Sequence, residues 1–206
     1  MKYHCPLLPD QIYHVFNHAV GFENLFRESD NYTYFLELAI KHIVPIADFY
    51  AYNLLPNHFH FLVRIKSIPL LKEYYLTLKG TEPETNIDWP KFVMQQFSNF
   101  CNAYSKAINK RFERRGALFL DYLKRSQING ADYFCHCVHY IHFNAIHHGL
   151  CNKIEEWYWT SYHTYLTVKP SKLNREVVLE NFEGKQQFIL FHNGKPKISG
   201  ESLEFL

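Results

Sequence analysis

The spacing of apolar residues divides the chain into a short series of elements. The segment from Gln11 to Val20 (QIYHVFNHAV) alternates and is rich in β-forming residues, which predicts a first strand. Asp30 or Asn31 then stands as a cap for a helix through YTYFLELAIKHI, whose apolar residues recur at helical spacing. Phe49 to Leu55 (FYAYNLL) and His58 to Ile65 (HFHFLVRI) read as two strands around a tight Pro56-Asn57 turn, the clearest hairpin in the chain. A short helix is expected over Pro69 to Leu78, followed by a polar surface loop, KGTEPETNIDWP. A long helix runs from about Lys91 to Arg115, stopped by Gly116. Ala117 to Gln127 predicts a fourth strand, Asp132 to His148 a helix closed by Gly149, and Asn174 to Asn181 a smaller helix. The order β-α-β-β-α-β predicts an α+β, ferredoxin-like antiparallel sheet with helices on one face and extra C-terminal helices.

Composition narrows the classes. With 47% hydrophobic and 20% charged residues in 206, the chain has the apolar material for a sizeable core. Glycine is scarce, and neither GxGxxG nor GxxxxGK[ST] occurs, which disfavours glycine-looped nucleotide-binding designs. Five cysteines, an odd number without a CxxC pair, do not form a disulfide framework and fit reduced thiols in a cytoplasmic protein. The opening MKYHCPLLPDQ lacks the basic start and apolar stretch of a signal peptide, and no uncharged apolar run approaches the ~20 residues of a membrane span. Neither secretion nor membrane insertion is expected.

Three clusters carry candidate chemistry. On a strand, residues two apart share a face, so His58, His60 and Leu62 point one way and Phe59, Phe61 and Val63 the other. The Phe side is the natural core side. The two imidazoles can then converge on one ion, either a transition metal or, with an oxygen ligand and water, Mg²⁺ or Mn²⁺. The plainer alternative is a pair of strand histidines without a ligand. In the long helix, Phe97, Phe100, Cys101, Tyr104, Ala107 and Ile108 lie near one stripe facing the sheet. Tyr104 there is either a nucleophile for a phosphorus centre or a core tyrosine with a satisfied hydroxyl. From Tyr104 to Arg125, the bases Lys106, Lys110, Arg111, Arg114, Arg115, Lys124 and Arg125 face only Glu113 and Asp121. Seven cations against two anions place a surplus of five here, although the whole chain carries only +2. With Phe112, Phe119 and Tyr122 interleaved, the stretch suits a phosphodiester strand; a solvated helix end is the ordinary alternative. The histidines of CHCVHYIHFNAIHHG do not make a zinc site by helix geometry alone. His136 and His142 diverge by ~120°, and His136 and His147 lie ~16 Å apart along the axis. They read as surface and packing residues, some touching phosphate when protonated near pH 6.

LLPNHFHFLV followed by AYSKAINKRFERRGALF resembles the single-tyrosine HUH transposases, and more closely their REP-associated tyrosine transposase branch. IYHVFNHAVGFENLF, YIHFNAIHHGL and WTSYHTYL continue the resemblance over residues 11–166. It implies a catalytic domain at 1–166, with 167–206 as a C-terminal helical extension packed on the core. It also implies that His58 and His60 bind a divalent cation, Mg²⁺ or Mn²⁺, and that Tyr104 attacks single-stranded DNA to form a 5′-phosphotyrosine. The substrates implied are hairpin or inverted-repeat strands, contacted through Lys106, Lys110, Arg111, Arg114, Arg115, Lys124 and Arg125, with a monomer or homodimer as the active unit. Many relatives place a polar metal ligand four residues after the tyrosine. Here that position is Ile108, and the nearest polar candidate, Asn109, is rotated ~140° from Tyr104. That departure keeps open a second class, a domesticated binder of hairpin DNA or RNA that does not cleave. A small-molecule metallohydrolase would account for the histidines but leaves the basic stretch unused.

Overall fold

The computed structural model describes residues 4–120 and 122–194. Its elements are β1 (Ile12–His18), α1 (Ser29–His42), β2 (Ala47–Leu55), β3 (His58–Ile65), α2 (Ile68–Lys79), α3 (Trp89–Arg111), β4 (Lys124–Ile128), α4 (Ala131–His147), α5 (Tyr162–Leu166), α6 (Arg175–Asn181) and α7 (Lys185–His192). The four strands form one antiparallel sheet in the order β2-β3-β1-β4. This is the ferredoxin-like α+β arrangement that the order of elements predicts.

Register fixes which side chains share a face. His58 lies opposite His18, His60 opposite Phe16 and Leu62 opposite His14, while Phe16 also lies opposite Lys124 of β4. The other face carries Phe59, Phe61 and Val63, which share a core with Phe35 of α1 and with Phe97, Phe100, Tyr104 and Ile108 of α3. Full burial contributes about 1.5–3 kcal/mol for each such phenylalanine, so this layer is a large part of what holds the fold together. On the histidine face, α4 sets Cys137, Val138 and Ile141 against Tyr50, Ala51, Leu62 and Ile128. Val178 in the middle of α6, Phe182 just beyond its C-terminal end and Phe188 of α7 close that second core behind α4. The sheet is therefore covered on both sides rather than on the one face expected: α1 and α3 lie on the phenylalanine face, α4 and the C-terminal helices on the histidine face, because Leu62, Ala51 and Ile128 give that second face an apolar patch for α4 to bury.

Element ends differ from expectation for local reasons. Glu28, rather than Asp30 or Asn31, precedes α1, and the Asn31 side chain turns back to accept from the Arg27 and Glu28 amides. Asp88 caps α3 by accepting from the Lys91 amide at 2.9 Å. The helix ends at Arg111, four residues early, because Glu113 adopts a left-handed backbone (φ 51°) and Arg114 folds back onto it. The Arg114 amide meets the Asn109 carbonyl at 3.0 Å, and its guanidinium donates to Asn109 Oδ1 and to the Ala117 carbonyl. β4 is correspondingly short. The segment before it lies along the end of β1 through an Ala19–Phe119 bridge and a Leu120 amide to His18 carbonyl bond of 2.8 Å. The expected extension supplies α6 and α7, and its part beyond residue 194 lies outside the described residues. No described helix is long and apolar enough to cross a membrane.

Candidate functional site

Alternation on β1 and β3 brings four histidines, His14, His18, His58 and His60, onto the face beneath α4. All four are buried. The His18 and His58 rings stack at 4.2 Å, and those of His58 and His60 meet edge-on at 5.1 Å. Each member of the HxH pair has its Nδ1 engaged by a neighbour. His58 Nδ1 lies 2.7 Å from Asn57 Oδ1 in the hairpin turn, and His60 Nδ1 lies 2.9 Å from His14 Nε2. Burial keeps these imidazoles neutral. Loss of water holds His58 at about 2, His14 at about 3 and His18 at about 4, with Lys124 and His148 adding to the effect at His18, and His18 and His148 at His58. His60 is held well below its ordinary value for the same reason. A neutral imidazole that donates from Nδ1 presents Nε2 as the ligating atom.

The helix that covers this face is α4, and it contributes Tyr140 and Asn144. Four residues apart, they lie one above the other on one helical face. Asn144 Oδ1 comes to 3.4 Å from His58 Nε2, while its Nδ2 is buried without a partner. The Tyr140 ring stands edge-on to His60 and His14, with centroids 6.0 Å from each. His148, just beyond α4, meets the His58 ring at 4.7 Å. Because Asn57 Oδ1 can only accept, the His58 proton is at Nδ1, so its Nε2 lone pair faces the Asn144 oxygen with no proton between them. An imidazole Nε2, an amide oxygen 3.4 Å from it and a second neutral imidazole beside them are donor types that suit a divalent cation. Among the described residues no cluster of three or more His, Cys, Asp or Glu side chains is arranged to hold a metal. An ion here would rely on two imidazoles, the amide oxygen and water.

The structure does not bring Tyr104 or Asn109 to this place. Tyr104 lies on the phenylalanine face, on the far side of the sheet, because α3 packs on Phe59 and Phe61. It is fully buried, it donates to the Leu25 carbonyl at 2.7 Å, and burial pushes its hydroxyl far above the usual phenol range. The expected approach of Tyr104 to the HxH pair is thereby corrected. Asn109 is also not a ligand to this pair: its Nδ2 donates to the Gly116 carbonyl and its Oδ1 accepts from Arg114. The segment YIHFN carries a tyrosine and a polar residue, Tyr140 and Asn144, at the spacing of four that α3 does not provide, and nothing in the sequence signals that they lie against the histidine pair.

No protein-family model matches the chain, and no curated protein matches it significantly. Among solved structures, a REP-associated tyrosine transposase bound to a REP hairpin superposes with a TM-score of 0.58. The match covers 81% of this chain and 85% of that one at 13% identity. The chain has the fold of a REP-associated tyrosine transposase.

Within this transposase fold the seven bases separate into three groups. Arg111 pairs with Glu28, Arg114 pairs with Glu23 at 3.1 Å, and Arg125 donates to the carbonyls of Cys5, Leu123 and His4, so these three brace the structure. Lys106, Lys110 and Arg115 are exposed. Lys124 is the base whose register places it on the histidine face, with its ammonium 5.8 Å from the Phe16 ring. Elsewhere under the C-terminal helices, His142 joins Ser161 Oγ at 2.7 Å and His192 at 2.9 Å, and His192 reaches the Phe188 carbonyl. Burial holds His142 well below its ordinary value and His139 at about 4, so neither is a cationic phosphate contact near pH 6.

Proposed function

We propose that the chain is a metal-dependent single-stranded DNA transesterase of the REP-associated tyrosine transposase type, acting on hairpin or inverted-repeat DNA, with Tyr140 as nucleophile. The observation that carries this reading is the placement of Tyr140 and Asn144, one helical turn apart on α4, against His58 and His60. That is the tyrosine-plus-four pattern implied by the HUH resemblance, now on the face that holds the histidines. The fold shared with a transposase bound to a REP hairpin supports the same substrate class.

In this reading His58, His60 and Asn144 would hold Mg²⁺ or Mn²⁺, which would supply positive charge to offset the negative charge developing on the scissile phosphate. α4, packed on the sheet, would set Tyr140 beside a phosphate bound at the histidine pair. The phenolic oxygen attacks and the bond to the 3′ oxygen breaks. The phenolic proton is lost and the departing 3′ oxygen gains one, leaving a 5′-phosphotyrosine and a free 3′-hydroxyl. Attack by another 3′-hydroxyl reverses the exchange with one phosphodiester bond made for each broken, so no nucleotide hydrolysis is required. Lys124 neutralises backbone charge beside the site, and Lys106, Lys110 and Arg115 serve the flanking hairpin.

The test is a hairpin-flanked single strand incubated with Mg²⁺ or Mn²⁺ and resolved under denaturing conditions. Wild type and Tyr104→Phe are expected to form a covalent protein–DNA adduct, and Tyr140→Phe to form none. An adduct that survives Tyr140→Phe defeats the assignment. A second reading, a hairpin-binding protein that does not cut, draws on the closure of the site: Tyr140 is only 8% exposed, His58 2% and His60 3%. Salt-sensitive binding that is equal in wild type and Tyr140→Phe, with no cleavage under any divalent ion, would select it.

A further inference from the structure

Resting on the metal-binding reading above, we propose that His14 is a positioning residue for His60. It accepts a hydrogen bond from His60 Nδ1–H in the cation-bound protein and so fixes His60 Nε2 as the ligating atom, as Asn57 does for His58. The two contacts have similar lengths, 2.9 Å for His14 Nε2 to His60 Nδ1 and 2.7 Å for Asn57 Oδ1 to His58 Nδ1. They also serve the two members of the pair in parallel. Two neutral imidazoles share one proton across such a bond. If His14 were the donor, His60 would carry its own proton on Nε2 and have no lone pair for a cation. Ligation through His60 Nε2 therefore requires His14 to accept.

The surroundings of His14 point to a role beyond packing. The residue is fully buried at the centre of the sheet, stacked on Phe16 at 4.9 Å, where an apolar side chain would be the cheaper occupant. Its Nδ1 has no hydrogen-bond partner among the described residues, so the bond to His60 is what its polarity provides. A buried polar group left half-satisfied lowers stability, and the compensation lies in the orientation of its neighbour.

Methionine and glutamine are close in volume, and only glutamine ends in a group that can accept from His60, which makes them a matched pair for the test. Manganese affinity is measured by calorimetry on the full chain without DNA. His14→Met is expected to weaken Mn²⁺ binding ten- to a hundredfold, the usual cost of losing an outer hydrogen-bond partner of a ligand, and His14→Gln to restore it to within a few-fold. Long-range ¹H–¹⁵N spectra of the Mg²⁺-loaded wild type should show His60 as the Nδ1–H tautomer. A wild-type affinity retained by His14→Met, equal losses in both variants, or an Nε2–H tautomer at His60 would each overturn the proposal while leaving the metal site standing. Absence of any divalent-ion binding by the wild type would overturn the metal reading and this one with it. Should His14→Met not fold, the wild-type tautomer and the His14→Gln affinity still decide the matter.

Discussion

At Tyr104 the phenolic oxygen lies 2.7 Å from the Leu25 carbonyl, inside an aromatic cluster whose ring centroids are 4.8 Å (Phe35), 5.8 Å (Phe26) and 6.2 Å (Phe119) away. That environment makes the residue a structural anchor: its hydroxyl ties α3 to the loop before α1, and no path leads from it to the histidine face. Replacing it with phenylalanine keeps the ring and strands one buried carbonyl. Tyr104→Phe is expected to lower unfolding free energy by about 1–2 kcal/mol in urea titration, with Mn²⁺ affinity and DNA adduct formation unchanged. Loss of the adduct in a stably folded Tyr104→Phe protein would contradict this placement. The same comparison separates the two tyrosines by surroundings rather than by position in the sequence: Tyr104 sits in an aromatic core, and the Tyr140 ring packs edge-on to His60 and His14.

Among the elements, α4 differs from α3 in what it buries towards the sheet. α3 presents a mostly aromatic and aliphatic stripe whose buried Gln96 donates to its own helix at the Phe92 carbonyl, whereas α4 mixes Cys137, Val138 and Ile141 with Tyr140 and Asn144. Strand alternation in HFHFLVRI was enough to say which side chains share a face, and the β2–β3 hairpin and the ferredoxin-like order were legible for the same reason. Alternation does not say which helix covers which face. That depends on the crossovers from β3 through α2 and α3 to β4, and from β4 back over the sheet, whose course is set by long-range packing. Tyr140 was hidden for this reason. α7 was hidden for another: KQQFILFH is too short to show helical spacing, and it is held by a contact distant in sequence, His192 to His142. Substituting His192 should show how much that contact holds. His192→Leu leaves His142 Nδ1 buried without a partner, for an expected loss of about 1–3 kcal/mol in urea unfolding, while Mn²⁺ affinity at His58 and His60 stays at the wild-type level. An unchanged unfolding midpoint would mean that α7 is not anchored through this pair.

For the molecule as a whole, the density of neutral buried histidines sets how it responds to acid. His14, His58 and His192 are held at about 3, 2 and 3, and His60 and His142 well below the ordinary value, chiefly by removal from water. In the unfolded chain the same side chains titrate near 6.5. Above that pH neither state binds these protons, and the contribution to stability is complete. Below it the unfolded state takes up protons that the folded state refuses, so stability falls with pH towards the depressed folded values. One pH unit below 6.5, each such group costs about 1.4 kcal/mol, and five together approach 7 kcal/mol, within the ~5–15 kcal/mol that holds a domain of this kind together. Carboxylates such as Glu23 and Glu28, whose pairing with arginine lowers their titration, act in the same direction but only below about pH 4.5. The loss between pH 7 and 5.5 therefore belongs to the histidines. Urea midpoints are expected to drop steeply across that range, with a slope equivalent to several protons taken up on unfolding, and His192→Leu should reduce the slope by close to one proton. A midpoint constant from pH 7.5 to 5.5 would mean that these imidazoles are solvated in the folded protein. The neutral face on which the proposed cation site depends would then be absent as well.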